Sequence, residues 1–81
     1  MYTLYILLCS DNTLYTGITN NLPQRLKVHE SGKGSKYVRA RLPFRLIYQE
    51  KKKDRSAALK RELEIHSWPR ARKLSELKLS I

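Results

Sequence analysis

Two apolar runs near the start of the chain, separated by a turn, constrain the fold more than any other feature. Residues 2–9 and 13–18 are rich in Tyr, Leu, Ile and Thr, and 10–12 (Ser-Asp-Asn) has the composition of a turn. This pattern predicts a β-hairpin. Because side chains alternate between the two faces of a strand, the length of the turn decides which residues of the hairpin share a face.

The parity of that turn matters for Tyr5 and Tyr15. A two-residue turn without a bulge places the two tyrosines on opposite faces, whereas a three-residue loop, or a bulge that changes the parity, places them together. In the three-residue case Tyr5 lies opposite Gly17, whose missing side chain leaves room for the phenol and for an approaching phosphate. The sequence leaves both registers open.

A helix is predicted after the hairpin. Asn21 can cap its free amides, Pro23 is tolerated in its first turn, and Gly32 and Gly34 end it.

The second half of the chain predicts one further strand and two further helices. Residues 33–43 form a basic loop, and residues 44–50 alternate well enough for a third strand. Asp54 caps a second helix that runs to about Ser67, and Pro69 starts a short third helix. The order β-β-α-β-α-α predicts an α/β fold with a small, three-stranded, mainly antiparallel sheet flanked by helices.

Length and cysteine content exclude several classes. A chain of 81 residues predicts a single domain over 1–81. The single cysteine, Cys9, allows no internal disulfide, and with two well-separated histidines it cannot form a closed zinc site, so we expect a reducing, cytoplasmic setting. No apolar run is long enough to cross a bilayer, and the apolar start has neither a basic leader nor a small-residue cleavage site.

The net charge of +10 is large for this length. It is compatible with a solvated surface that aids solubility, but it also fits a polyanionic partner, because lysine and arginine displace condensed counterions from nucleic acid. We expect nucleic acid rather than a membrane, since no segment combines a basic face with exposed bulky apolar residues. Ribosomal proteins share this charge balance, so charge alone does not imply an enzyme.

The first helix carries Arg25 and His29 four residues apart, and therefore on one face. A guanidinium matches the oxygens of a phosphate, and a histidine one turn away can relay a proton. Periodicity alone favours the simpler alternative, in which both are exposed polar residues of an amphipathic helix.

The second helix carries a carboxylate in an unusual position. Ala58, Leu59, Glu62 and Ile65 form one predicted apolar stripe, and Glu64 points nearly the opposite way. A carboxylate is rarely buried without a partner, which here is either an arginine or a divalent metal ion at a phosphate. Glu62 is therefore the most informative position of this helix.

These residues together resemble the GIY-YIG nuclease superfamily, in particular its short, stand-alone bacterial members. The resemblance covers nearly the whole chain, and it departs from the motifs at Thr3, which stands where the first motif has glycine, and at Thr16. The matching segments are Leu4-Tyr5-Ile6, Leu14-Tyr15-Thr16-Gly17, Arg25-Leu26 with His29, Gly34-Ser35-Lys36-Tyr37, Arg41-Leu42-Pro43 and Arg55 to Glu62.

The resemblance implies a metal-dependent endonuclease. Tyr5 and Tyr15 would orient or deprotonate the attacking water. Arg25 would hold the scissile phosphate, and His29 would assist proton movement. Glu62 would hold one Mg²⁺ or Mn²⁺ ion.

Further basic residues are candidates for supporting roles. Lys36, Arg39 and Arg41 of the basic loop are candidate contacts to the nucleic-acid backbone. Lys73 is the candidate for a region in which many family members carry an active-site asparagine. DNA is favoured over RNA as the substrate, and no membrane or protein partner is expected. The alternatives are a nucleic-acid-binding module with weak or no catalysis and, less favoured, a basic accessory protein of the ribosome.

Overall fold

The computed structural model describes residues 1–79 and 81, and its core is a three-stranded sheet with the order β2-β1-β3. Both strand pairs are antiparallel, which confirms the predicted fold class. No helix in the described part of the chain has the length and apolar character needed to cross a bilayer. The elements are β1 (Tyr2–Cys9), β2 (Leu14–Thr19), α1 (Leu22–Glu30), α2 (Lys36–Arg39), β3 (Phe44–Lys52), α3 (Arg55–His66) and α4 (Arg70–Glu76).

The basic segment 33–43 differs from the prediction, because it contains the short helix α2 and is not loop throughout. The side chain of Ser35 accepts a hydrogen bond from the Tyr37 amide and so caps this single turn. The predicted caps of the longer helices are confirmed: Asn21 accepts from the Gln24 amide in α1, and Asp54 accepts in the same way in α3.

The hairpin loop has three residues, so the parity that allows a shared tyrosine face is confirmed. The Cys9 amide donates to the Thr13 carbonyl at 2.9 Å, and the Asn12 amide donates to the Cys9 carbonyl at 2.9 Å. Asn12 has a φ of 69°, as expected for the left-handed residue that closes a three-residue hairpin loop. Tyr5 pairs with Gly17, and Leu7 pairs with Tyr15.

The central strand β1 is covered on both faces, because residues from Leu4 to Leu7 are all buried. The odd-numbered face, with Tyr5 and Leu7, packs against Val38 of α2 and against leucines of α1. The even-numbered face packs against α3 and α4 through Ile65, Trp68 and Leu77. The sheet therefore separates a layer that contains α1 and α2 from a layer that contains α3 and α4.

The predicted apolar stripe of α3 is correct at Ala58 and Ile65 and wrong at Leu59, which is 37% exposed. A helix turns by about 100° per residue, so Leu59 lies well away from the line through Ala58 and Ile65. Glu62 lies close to that line and is half-buried, whereas Glu64 is exposed as predicted.

Candidate active site

Tyr5 and His29 form a buried pair on the odd-numbered face of the sheet. Their exposed fractions are 1% and 0%, and the Tyr5 Oη lies 2.9 Å from the His29 Nε2. The expectation that His29 is an exposed residue of an amphipathic helix is therefore wrong. Its ring packs edge-on against Tyr15 and Phe44, with centroids 5.5 Å and 6.0 Å away, because α1 lies directly over this face.

Tyr15 completes an aromatic cluster with this pair. Its ring centroid lies 6.4 Å from that of Tyr5, so the two strand tyrosines do meet on one face. On its other side Tyr15 stacks on Tyr37 at 5.9 Å, and the guanidinium of Arg41 lies 3.8 Å from the Tyr37 centroid. Helix α2 therefore covers the outer side of Tyr15 through Tyr37.

Arg25 lies between Tyr5 and the segment that follows α1. Its Nε donates to the Tyr5 Oη at 3.5 Å, and its Nη2 donates to the Gly34 carbonyl at 3.4 Å. Both bonds are long and therefore weak, so the guanidinium can exchange them for a stronger acceptor. The hydrogen bond with Tyr5 raises the pKa of Arg25, which stays cationic.

Burial sets the charge states of the central pair. Burial raises the pKa of Tyr5, and the nearby charges of Tyr15 and Glu62 act in the same direction, while Arg25 opposes them. Burial also lowers the pKa of His29, assisted by the positive charge of Arg25. A neutral phenol and a neutral imidazole therefore face each other at neutral pH.

The second ring nitrogen of His29, Nδ1, is buried and has no hydrogen-bond partner among the described residues. The backbone of Gly34 passes close to this nitrogen, which only a glycine allows, because a Cβ added at Gly34 would lie 2.7 Å from Nδ1. Gly17 has the same relation to Tyr5, since a Cβ there would lie 2.6 Å from the phenol oxygen. The buried pair therefore fits only between two glycines.

Glu62 lies on α3, where it is half-buried. The pKa of Tyr5 is raised mainly by burial, and the charge of Glu62 acts in the same direction. The carboxylate of Glu62 forms no ion pair with any of the described residues. Two other carboxylates near the sheet are paired: Glu50 binds Lys52 and Arg61, and Glu64 binds Arg61 as well. Among the described residues Glu62 thus has no arginine partner, and the metal alternative stays a prediction.

The donor set fits a divalent ion that is shared with a substrate. Within the described chain no group of three or more His, Cys, Asp or Glu side chains could hold a metal ion. Mg²⁺ is commonly held by one or two carboxylates, with water and substrate phosphate oxygens as the other ligands. A single free carboxylate, Glu62, satisfies that pattern.

The basic residues that are candidate contacts to nucleic acid differ in how many hydrogen bonds they already form within the protein. Lys36 and Arg39 are exposed on α2. Arg41 donates through Nε to Asp11 at 2.9 Å and through Nη1 to the Tyr37 carbonyl at 3.1 Å, which leaves its Nη2 for a phosphate. Lys73 lies on α4, in the layer on the other face of the sheet, and its proposed place in the site stays a prediction.

Sequence reasoning missed two residues of the site. The sequence indicates Tyr37 only through the family resemblance, and Gly34 only through that resemblance and as the end of a helix. A local signal for His29 did exist, because it follows Leu22 by seven residues and Leu26 by three, which is the spacing of an apolar stripe.

Comparison with known proteins gives a consistent result. A family model described as the GIY-YIG catalytic domain matches residues 1–75. A UPF0213 protein of Oceanobacillus iheyensis is 51% identical over 70 residues, which cover 86% of this chain and 81% of that protein. A UPF0213 protein of Natronomonas pharaonis is 48% identical over 69 residues, covering 85% and 81% respectively. The solution NMR structure of a UPF0213 protein from Bacillus halodurans superposes with a TM-score of 0.63 at 38% identity, covering 96% of this chain and 84% of that one.

Proposed function

Because the chain belongs to the GIY-YIG catalytic domain family, which implies a nuclease-type function, we propose that it is a metal-dependent endonuclease. It hydrolyses phosphodiester bonds in nucleic acid, with DNA favoured over RNA. One observation carries the proposal: a buried phenol–imidazole pair, a weakly held arginine and an unpaired, half-buried carboxylate occur together.

Tyr5 and His29 transfer the proton of the attacking water. As the water oxygen bonds to phosphorus, its proton passes to the Tyr5 oxygen, and the phenol proton passes to the His29 Nε2 over the 2.9 Å hydrogen bond. The phenol thus acts as a base without a stable phenolate, which its raised pKa disfavours. The bond from phosphorus to the leaving oxygen breaks, and that oxygen takes a proton from solvent. Tyr15 orients the water from the neighbouring strand.

Arg25 holds the scissile phosphate. A planar guanidinium binds two phosphate oxygens at once, and these charge-assisted bonds are stronger than the 3.5 Å and 3.4 Å bonds that it gives up. The same contact stabilises the negative charge that grows on the phosphate in the transition state.

Glu62 would hold one Mg²⁺ or Mn²⁺ ion. When bound, such an ion would supply positive charge that stabilises the leaving group. The contribution of the chain is to keep the carboxylate half-buried and free of ion pairs with arginine and lysine among the described residues. Lys36, Arg39 and Arg41 are proposed contacts to the backbone of the substrate, and Lys73 is a proposed supporting residue.

The test compares Glu62→Gln with Glu64→Gln. The first variant should lose cleavage by about 10²- to 10³-fold, because one transition-state contact of the site is removed, while its affinity for nucleic acid stays close to that of the wild type. The second is the matched control on the same helix, since Glu64 is exposed and bound to Arg61. Labelled branched, nicked and single-stranded substrates are incubated with Mg²⁺, Mn²⁺ or EDTA.

Equal cleavage by the two variants would overturn the assignment of the metal to Glu62. Wild-type protein that binds the substrates but cuts none of them with either ion would favour the alternative of a binding module.

A further inference from the structure

An open cleft of about 360 Å³ lies beside the candidate site, between the end of α1 and helix α2. It is separate from the aromatic cluster of Tyr5, Tyr15 and His29. We call it the α1–α2 cleft, and its lining residues are Gly32, Lys33, Gly34, Ser35, Lys36 and Arg39.

The residues that follow α1 form the first wall of the α1–α2 cleft, and hydrogen bonds to the last turn of α1 hold them in place. The Gly32 amide donates to the His29 carbonyl and the Lys33 amide to the Val28 carbonyl, both at 3.1 Å, which is the bonding of a Schellman motif. Gly32 has a φ of +82°, and a Cβ there would lie 3.4 Å from the Arg39 Cγ. This ending turns Lys33 toward α2 and packs the chain against the stem of Arg39.

The second wall is shared with the candidate site. Gly34 lies against the His29 ring, since an added Cβ would be 2.7 Å from Nδ1, and its carbonyl accepts from the Arg25 Nη2 at 3.4 Å. The backbone of Gly34 therefore borders the Arg25 guanidinium and also lines the cleft. A group in the cleft is a neighbour of a group bound to Arg25.

The charges of the cleft have one sign. Lys33, Lys36 and Arg39 are exposed, and no carboxylate lines the cleft. None of the three forms an ion pair with any residue that the structure describes, whereas Arg41, which follows α2, is paired with Asp11. Three unpaired cations around a polar backbone segment fit an anion with several acceptor oxygens.

We propose that the α1–α2 cleft binds the phosphate next to the scissile phosphate on the same strand. The inference rests on the proposed function, because Arg25 marks the scissile position. Each strand carries one phosphate per about 3.4 Å of helix axis, so a strand held by Arg25 brings a neighbouring phosphate past Gly34. The cleft lies on one side of Arg25, so it takes the neighbour on one side of the scissile bond only.

The test couples charges on the protein with charges on the nucleic acid. Neutral methylphosphonates replace single phosphates, one at a time, along an oligonucleotide whose cut position is mapped. Binding is measured by fluorescence anisotropy in EDTA, for the wild type and for Lys33→Gln/Lys36→Gln. The matched control is Lys53→Gln/Lys60→Gln, two exposed lysines of which one precedes α3 and the other lies within it. Thermal melting verifies that all variants are folded.

A methylphosphonate at one neighbouring position should weaken the binding of the wild type and of the control more than that of the Lys33→Gln/Lys36→Gln variant. That variant has already lost two of the three cations of the cleft. The salt slope of that variant should fall by about 0.9, as expected for one phosphate. Additive losses at every position, or an equal loss in the control pair, would overturn the proposal. If the protein cleaves the substrate but shows no such coupling, the proposed phosphate site in the cleft is refuted and the endonuclease proposal stands. If the coupling is found but the protein does not cleave with Mg²⁺ or Mn²⁺, the endonuclease proposal is refuted and the phosphate site stands.

Discussion

Replacing Gly17 with alanine tests whether the missing side chain makes room for the central phenol. The new Cβ would lie 2.6 Å from the Tyr5 Oη and 2.7 Å from its Cζ. Since carbon atoms pack at about 3.5–4.0 Å, the ring must retreat by about 1 Å. Overpacking of this kind costs about 1–3 kcal/mol of unfolding free energy. The retreat also strains the 2.9 Å hydrogen bond with His29, whose loss costs about 1 kcal/mol.

A smaller effect opposes this cost. Alanine in a strand interior is favoured over glycine by about 0.5–1 kcal/mol, because glycine loses more backbone freedom on folding. The net destabilisation by Gly17→Ala is therefore about 1–3 kcal/mol, and each kcal/mol lowers the Tm of a domain of this size by about 4–8 °C. The cleavage rate should fall by more than the loss of folded protein accounts for, since the Tyr5 oxygen leaves its position beside His29.

The assay is urea unfolding of Gly17→Ala in three backgrounds. With Tyr5 intact, Gly17→Ala should lower the free energy of unfolding. In Tyr5→Leu the ring is absent, and the same substitution becomes neutral or stabilising by up to about 1 kcal/mol. Tyr5→Phe removes the 2.6 Å contact but keeps the one at 2.7 Å, and gives an intermediate value. Equal destabilisation in all three backgrounds would refute the role assigned to Gly17.

Two further outcomes are expected. Burial lowers the pKa of His29 in the folded protein, so the unfolded state takes up the extra proton first as the pH falls. The contribution of His29 to the free energy of unfolding is therefore complete above about pH 6.5. Below that pH it declines by up to about 1.4 kcal/mol per pH unit. Urea midpoints from pH 5 to 8 should show this slope in the wild type, and an unchanged slope in His29→Gln would contradict it. Tyr37→Leu should lower kcat and leave KM nearly unchanged, because Tyr15 loses its stacking partner, while Tyr37→Phe should retain activity. Equal kcat values for the two Tyr37 variants would exclude a positioning role.

The sequence predicted the elements that depend on local signals. Asn21 and Asp54 cap their helices where expected, and the three-residue hairpin loop is one of two registers that could be stated beforehand. Both turn lengths suit Ser-Asp-Asn, so the local sequence leaves the register open. Only the nuclease interpretation, in which Tyr5 and Tyr15 share one site, requires an odd loop or a bulge.

The remaining differences have physical causes. Helix α2 is a single turn of four residues, too short to show helical periodicity, although Ser35 offered a cap. The burial of His29 depends on Tyr5, 24 residues away, and the place of Tyr37 depends on its stacking with Tyr15. The partners in these contacts are set only when the layer that contains α1 and α2 packs on the sheet, although the spacing of His29 from Leu22 and Leu26 did place it on a buried face.

The tip of the hairpin is fastened from two directions. The Ser10 amide donates to the Arg41 carbonyl at 2.9 Å, and the Arg70 Nη1 donates to the Asn12 carbonyl at 2.7 Å across 58 positions of sequence. Hairpin tips usually fray first, and their amides exchange with solvent quickly. Here the tip can open only if both the segment before β3 and helix α4 release it. The Ser10 amide should therefore exchange its hydrogen slowly, in the same cooperative unit as β1, and shortening α4 should speed that exchange before it alters the rest of the sheet.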